Sequence, residues 1–228
     1  MSATTDRGAR TALLGCGIAA SLVYVAADVL GSLRWEGYSP AAQAVSELSA
    51  LGAPSRSLVV SLMIMHSVLA LAFGVGVVAS AGHHRALRVA GLLLIGIGVV
   101  DVVAPFFPMH RREADETFTD TMHIAVTGVT VLLIVAAIGF AAVAMGGPFR
   151  RYCVATILVL LVFGAVAGAQ GGRLAAGGPT PWLGVCERVN IGGYLLWMAV
   201  FAVVLLRGAD ARTPRGSRAL KTLGRRDL

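Results

Sequence analysis

Charge is what this chain has least of: 14% of its 228 residues are Asp, Glu, Lys or Arg, against 57% apolar, and the mean hydropathy is +0.79. A soluble domain carries about a quarter charged residues, so a water-soluble fold is excluded. Lysine is nearly absent, since of the 19 basic residues only Lys221 is not arginine, a bias that fits a GC-rich bacterial genome. The three cysteines, Cys16, Cys153 and Cys186, stand far apart with no CxxC or Cys/His spacing, so neither a disulfide framework nor a structural zinc site is expected. HExxH, GxSxG and Walker sequences do not occur. The letters GCGIAA from Gly15 to Ala20 open an apolar run and follow no strand, which removes a dinucleotide-binding reading.

What the chain does have is six apolar stretches near the 20 or so residues that an α-helix needs to cross a bilayer: Thr11 to Leu33, Leu58 to Ser80, Val89 to Phe107, Thr121 to Ala144, Tyr152 to Gly172 and Pro181 to Leu206. The fold expected is all-α, a polytopic transmembrane bundle of six spans over residues 1–206, followed by a basic, disordered cytoplasmic tail over 207–228. The first stretch follows Arg7 and Arg10 but is too long for a signal peptide and lacks a small-residue cleavage site.

Arginine and lysine set the orientation. With the N-terminus inside, the inner segments carry thirteen basic residues: Arg7, Arg10, Arg85, Arg88, Arg150, Arg151 and the seven from Arg207 to Arg226. The outer loops carry six, Arg34, Arg56, Arg111, Arg112, Arg173 and Arg188, so both termini are expected in the cytoplasm of a bacterial plasma membrane. The net charge of +7 therefore reflects topology, and nucleic acid is not expected as a partner. The tail reads either as a strip held near anionic headgroups or as a topology signal alone.

The outer loops are the long ones, which directs any chemistry to that face. In the first, the residues GYSPAAQAVSELSALGAP from Gly37 to Pro54 carry helix punctuation: Ser39 as cap, Pro40 at the first helical position, Gly52 and Pro54 as the stop. Ala41, Ala44, Val45, Leu48 and Leu51 recur at spacings of three and four, with Ser39, Gln43, Ser46 and Glu47 opposite, so a short amphipathic helix is expected there. Its apolar stripe would rest on the bundle rim, and its Ser46 and Glu47 face would meet either a cavity or water.

That stretch, with its tyrosine, serine, SEL and GAP, resembles a family of prokaryotic six-span membrane proteins catalogued as a domain of unknown function, DUF998. Phe107-Pro108 ending the third span, His123 opening the fourth and Glu187-Arg188 opening the last add to the likeness. In that family a carboxylate often follows the Phe-Pro pair, where this chain has His110. A fainter similarity, to DRAM and Sfk1-type membrane proteins, rests on the six spans and the serine-proline pattern of the first outer loop. The resemblance implies a fold and no reaction.

Ionisable groups at membrane depth are costly and are functional candidates by default. Asp28, His66, Asp101, His123, Gln170 and Glu187 gather toward the outer ends of their spans, while the inner halves are almost free of polar groups. Asp28 can pair with Arg34 near the interface, and His66 can be a core histidine bonded to a carbonyl. Asp101, with no basic neighbour in its span, needs a partner from another helix, Arg188 or His66. His123 sits in the first turn of its helix, where the dipole keeps the ring neutral as a base, a ligand or a hydrogen-bonding anchor.

The pocket candidates are thus Ser46, Glu47, His66, Asp101, His110, His123, Glu187 and Arg188, expected to converge beneath the loop helix. Two functions of different class follow. The favoured one is an outward-opening polar pocket that binds a lipid headgroup or small amphiphile, with membrane lipids as partners and no cofactor. The alternative is an intramembrane enzyme acting on a lipid or isoprenoid by acid-base chemistry or through a divalent metal held by His66, Asp101 and His123, whose ligand types suit zinc. A transporter ranks third, because the six spans show no repeat and no broken helices. Gly164, Gly168 and Gly172 make a smooth face for close packing, within the chain or between two copies in a homo-oligomer.

Overall fold

The computed structural model describes residues 3–111, 117–176 and 178–211. Among these residues the chain is all-helical, and six helices are long and apolar enough to cross a membrane. They are α1 (Ala3–Arg34), α2 (Arg56–Ser80), α3 (Arg85–Val103), α4 (Phe118–Met145), α5 (Gly147–Gly168) and α7 (Leu183–Ala211), with a single turn, α6 (Gly171–Ala175), before the last. Each span matches one apolar run, because in lipid only a helix satisfies every backbone N–H and C=O internally. The helix α7 continues through Ala211, into what composition assigned to the tail, and residues 212–228 lie outside those described.

The six spans form a ring in which each helix packs on its sequence neighbours and α7 closes back on both α5 and α1. Glycines set the tightest approach. At Gly91 of α3 a β-carbon would stand 2.8 Å from the backbone N of Val78, and at Gly74 of α2 it would stand 2.8 Å from that of Ile95, so the two backbones touch where neither carries a side chain. The proposed packing face on α5 behaves differently: Gly164 meets Asn190 of α7, whereas Gly168 and Gly172 have open space beside them.

One half of the ring is filled with aromatics. Trp197 stacks on Phe201 at 5.1 Å, Phe201 meets Phe73 edge-on at 6.0 Å and stacks on Phe149, and all but Phe149 are fully buried. The opposite end, here the cap end, gathers the long connections: Leu51 N donates to Met109 O, Thr180 Oγ1 to Ala42 O, and Arg111 lies over the Trp35 ring.

The loop between α1 and α2 caps this end, but not as the α-helix that its punctuation predicts. Only Val45–Ser49 is helical, as one 3-10 turn, with turns before it. Ala44, Val45 and Leu48 are buried as the apolar pattern requires, Leu48 against Gly31 and beside Val59, while Leu51 is exposed. The α-helical ladder is not completed because the loop's backbone groups find partners elsewhere: Val185 N donates to Ala41 O and Glu187 Oε2 accepts from Val45 N. Gly184 makes this seating feasible, since any β-carbon there would run into the carbonyls of Pro40 and Gln43.

Candidate functional site

The cap is fastened by one arginine. Arg188, in the second turn of α7, donates to both carboxylate oxygens of Asp28 on α1, from Nε at 3.0 Å and Nη2 at 2.7 Å. The same guanidinium reaches the loop through Pro40 O, Gln43 O and the Tyr38 hydroxyl, which donates in turn to Ala44 O at 2.8 Å. Burial pushes the Tyr38 phenol up to about 12, so it stays a neutral hydroxyl able to accept from the arginine and donate to the loop. Asp28 thus pairs with Arg188, not with Arg34 as the local sequence implies: six residues apart on α1, Asp28 and Arg34 point about 120° away from each other, whereas Arg188 faces the carboxylate with two parallel bonds.

The other candidates divide between cap and bundle. Glu47 is buried, yet its oxygens accept from Ala44 N at 2.8 Å and Gln43 Nε2 at 3.1 Å, so it serves its own loop. Ser46 is half-buried beside it and accepts the Ser49 hydroxyl on its carbonyl. His110 meets Asp120 through both backbone N and ring Nδ1, at 2.7 and 2.9 Å, and Asp120 also accepts from Thr117, which makes a capping cluster at the start of α4. His123 donates from Nδ1 to Phe107 O at 3.1 Å, tying α4 to the segment after α3. His66 donates from Nδ1 to Ala20 O at 3.0 Å and meets the Tyr24 ring edge-on at 5.2 Å.

Asp101 is the exception. It makes no hydrogen bond or ion pair with any described residue, and neither Arg188 nor His66 partners it, because both are committed elsewhere. Its charge is felt by two tyrosines, Tyr24 of α1 and Tyr194 of α7. The Tyr194 hydroxyl is buried without a partner. Tyr24 is only half-buried, and its ring meets His66 edge-on in the same layer.

Helix register puts these groups in one layer. Gly98 faces Leu71 across α2 and α3, which sets Asp101 level with Ser67. His66 bonds to Ala20, and Ser21 of α1 donates to Leu195 O of α7, which brings Tyr24, His66 and Tyr194 to the same height. At about 1.5 Å per residue the layer lies roughly 15 Å below the cap ends of α1, α2 and α7. The Asp28–Arg188 clamp is one turn above it and the Trp197–Phe201 stack begins one turn below.

Among the described residues no three His, Cys, Asp or Glu side chains, His66, Asp101 and His123 included, come together in a group that could hold a metal ion. An open groove of about 520 Å³ runs past Gly52, Ala53, Arg56 and Ser61, outside the polar layer, and its one charged residue, Arg56, donates to Ser49 O. The sequence pattern passed over Tyr24, Tyr38 and Tyr194. The signal for two of them was their depth, since tyrosine in spans belongs at the interfaces.

The family model described as "Protein of unknown function (DUF998)" matches residues 18–204, and the chain belongs to that family. No curated protein and no solved structure matches it.

Proposed function

We propose that this DUF998 membrane protein binds a lipid headgroup or small amphiphile in the polar layer beneath its cap. The observation that carries the reading is Asp101: a carboxylate inside a ring of apolar helices that bonds to no described residue, accompanied by the buried Tyr194 hydroxyl, which has no partner among them either. Unpaired polar groups at membrane depth cost several kcal/mol each, roughly, and native proteins keep them where something outside the chain completes them.

Access supports the same reading. The clamp shuts the layer from the cap side and the aromatic stack shuts it from the other, which disfavours a water-filled path through the ring. The flank is looser. Between Asp120 and Ala137 α4 buries no residue, and beyond Leu160 α5 buries none, leaving Val129, Leu132, Val162 and Val166 exposed. A headgroup entering between the outer halves of α4 and α5 would keep its acyl chains in the bilayer, the arrangement that an amphiphile requires and a soluble substrate does not.

A photoactivatable phospholipid analogue tests this in membranes. Cross-links are expected on Asp101, Tyr194 and the layer-level residues of α4 and α5, reduced by excess unlabelled lipid. Cross-links confined to the outer perimeter, at positions such as Leu22 and Leu196, would overturn the reading.

A further inference from the structure

Resting on the headgroup reading, we infer that the group accepted by the layer of Tyr24, Asp101 and Tyr194 is a primary ammonium. Charge gives the sign. Arg188 is already neutralised by Asp28 through two hydrogen bonds, so no described cation pairs with the Asp101 carboxylate when it is ionised. An anionic headgroup would add a second charge of the same sign in a low-dielectric site, and a neutral sugar would leave the first unmatched.

Hydrogen-bonding capacity gives the class of cation. A primary ammonium presents three N–H donors and no acceptor. The layer offers three acceptors, the buried, unpartnered Tyr194 hydroxyl, the Asp101 carboxylate and the hydroxyl of the half-buried Tyr24. They come from α3, α1 and α7, three different walls of the ring, so a group between them would be held from three sides. The aromatic setting is favourable as well: Tyr194 stacks with Trp197 at 6.2 Å, Tyr24 meets His66 at 5.2 Å, and ring faces attract a desolvated cation. A quaternary ammonium shares the ring attraction but has no N–H to satisfy the three acceptors, and among the described residues no group of metal ligands comes together.

Two sources supply that chemistry, an aminophospholipid headgroup and a free alkylamine, and one experiment separates them. The full-length protein is placed in nanodiscs of phosphatidylglycerol doped with phosphatidylethanolamine or phosphatidylcholine, and in detergent with free ethanolamine or sodium chloride, and its thermal unfolding is followed. The ethanolamine lipid should raise Tm by several degrees, the choline lipid by much less, and Asp101→Asn should remove the difference by weakening binding at least about tenfold. Tyr194→Phe, which keeps the ring and its packing, should weaken the effect partway and serves if the aspartate variant fails to fold.

A shift with free ethanolamine as large as with the lipid would identify a soluble amine as the ligand and uphold the ammonium site. Equal shifts with ethanolamine and choline lipids, or a shift surviving both substitutions, would overturn it. A response to phosphatidylglycerol alone would keep the headgroup reading and defeat the ammonium. A response to sodium alone, or to nothing, would leave a hydrated cavity and defeat both.

Discussion

Arg188 and Asp28, separated by 160 residues in sequence, are joined by two hydrogen bonds of 3.0 and 2.7 Å that close the first and last spans over the polar layer. Each side chain keeps about a fifth of its surface accessible, 22% and 20%, so the pair is neither a surface ion pair nor fully desolvated. Removing one partner should therefore cost on the order of 2 kcal/mol, between the exposed and the buried extremes. Arg188→Ala should exceed that, because it also frees Pro40 O, Gln43 O and Tyr38 from the same guanidinium. Arg188→Lys should recover little, since an ammonium cannot reproduce the fork. Thermal unfolding of Asp28→Asn, Arg188→Met and the double variant measures the coupling; strictly additive effects would show that the pair does not hold the cap.

Much of the architecture was legible because the signals behind it are local. The six spans follow from run length, and the burial of Ala44, Val45 and Leu48 follows from their spacing. The loop's 3-10 turn was not legible, because the groups that compete for its backbone, Glu187 and Val185 N, come from the far end of the chain. The same limit applies to the site. Composition marked Asp101 as needing a cross-helix partner, and register decides that Arg188 is taken by Asp28 one turn above it and His66 by the Ala20 carbonyl. The glycine spacing at Gly164, Gly168 and Gly172 drew attention because it is regular, yet the close backbone contact between α2 and α3 uses the irregularly placed Gly74 and Gly91.

Tyr38 makes the cap sensitive to alkali. Its folded pKa of about 12 stands above the ordinary 10.0, so the contribution it makes is fully present below pH 10 and is lost as pH rises through 12. Opening of the cap should follow that window, read by limited proteolysis of the residue 35–55 loop in detergent. Tyr38→Phe should loosen the cap by about 1 kcal/mol at neutral pH and flatten the alkaline limb. An unchanged alkaline limb in the variant would mean that another group controls it.

The α2–α3 contact should tolerate no side chain at its centre. A valine at Gly91 would meet the Val78 backbone at 2.8 Å, which nothing but movement of a whole helix relieves, so Gly91→Val should destabilise by about 1–3 kcal/mol. Gly139 of α4 has open space beside it, and Gly139→Ala should be neutral or stabilising by up to about 1 kcal/mol through helix propensity. Equal unfolding temperatures for the two variants would contradict the close approach.

The distribution of arginine predicts which leaflet faces the cap. Three of the six cap-end arginines are engaged inside the fold: Arg188 with Asp28, Arg56 with Ser49 O and Arg111 over Trp35. At the other end Arg85 and Arg151 are exposed, and the run from Arg207 adds seven more basic residues. By the thirteen-to-six distribution of arginine and lysine, the cap should face outward. Single cysteines test this in intact bacterial cells, at His83 for the short-loop end and at Trp182, 66% exposed, for the cap end, with Cys16, Cys153 and Cys186 replaced by serine or alanine. A membrane-impermeant maleimide should label Trp182→Cys and not His83→Cys until the cells are lysed. The opposite pattern would turn the cap to the cytoplasm and direct the polar layer to the inner leaflet, leaving its chemistry as described but changing which lipids can reach it.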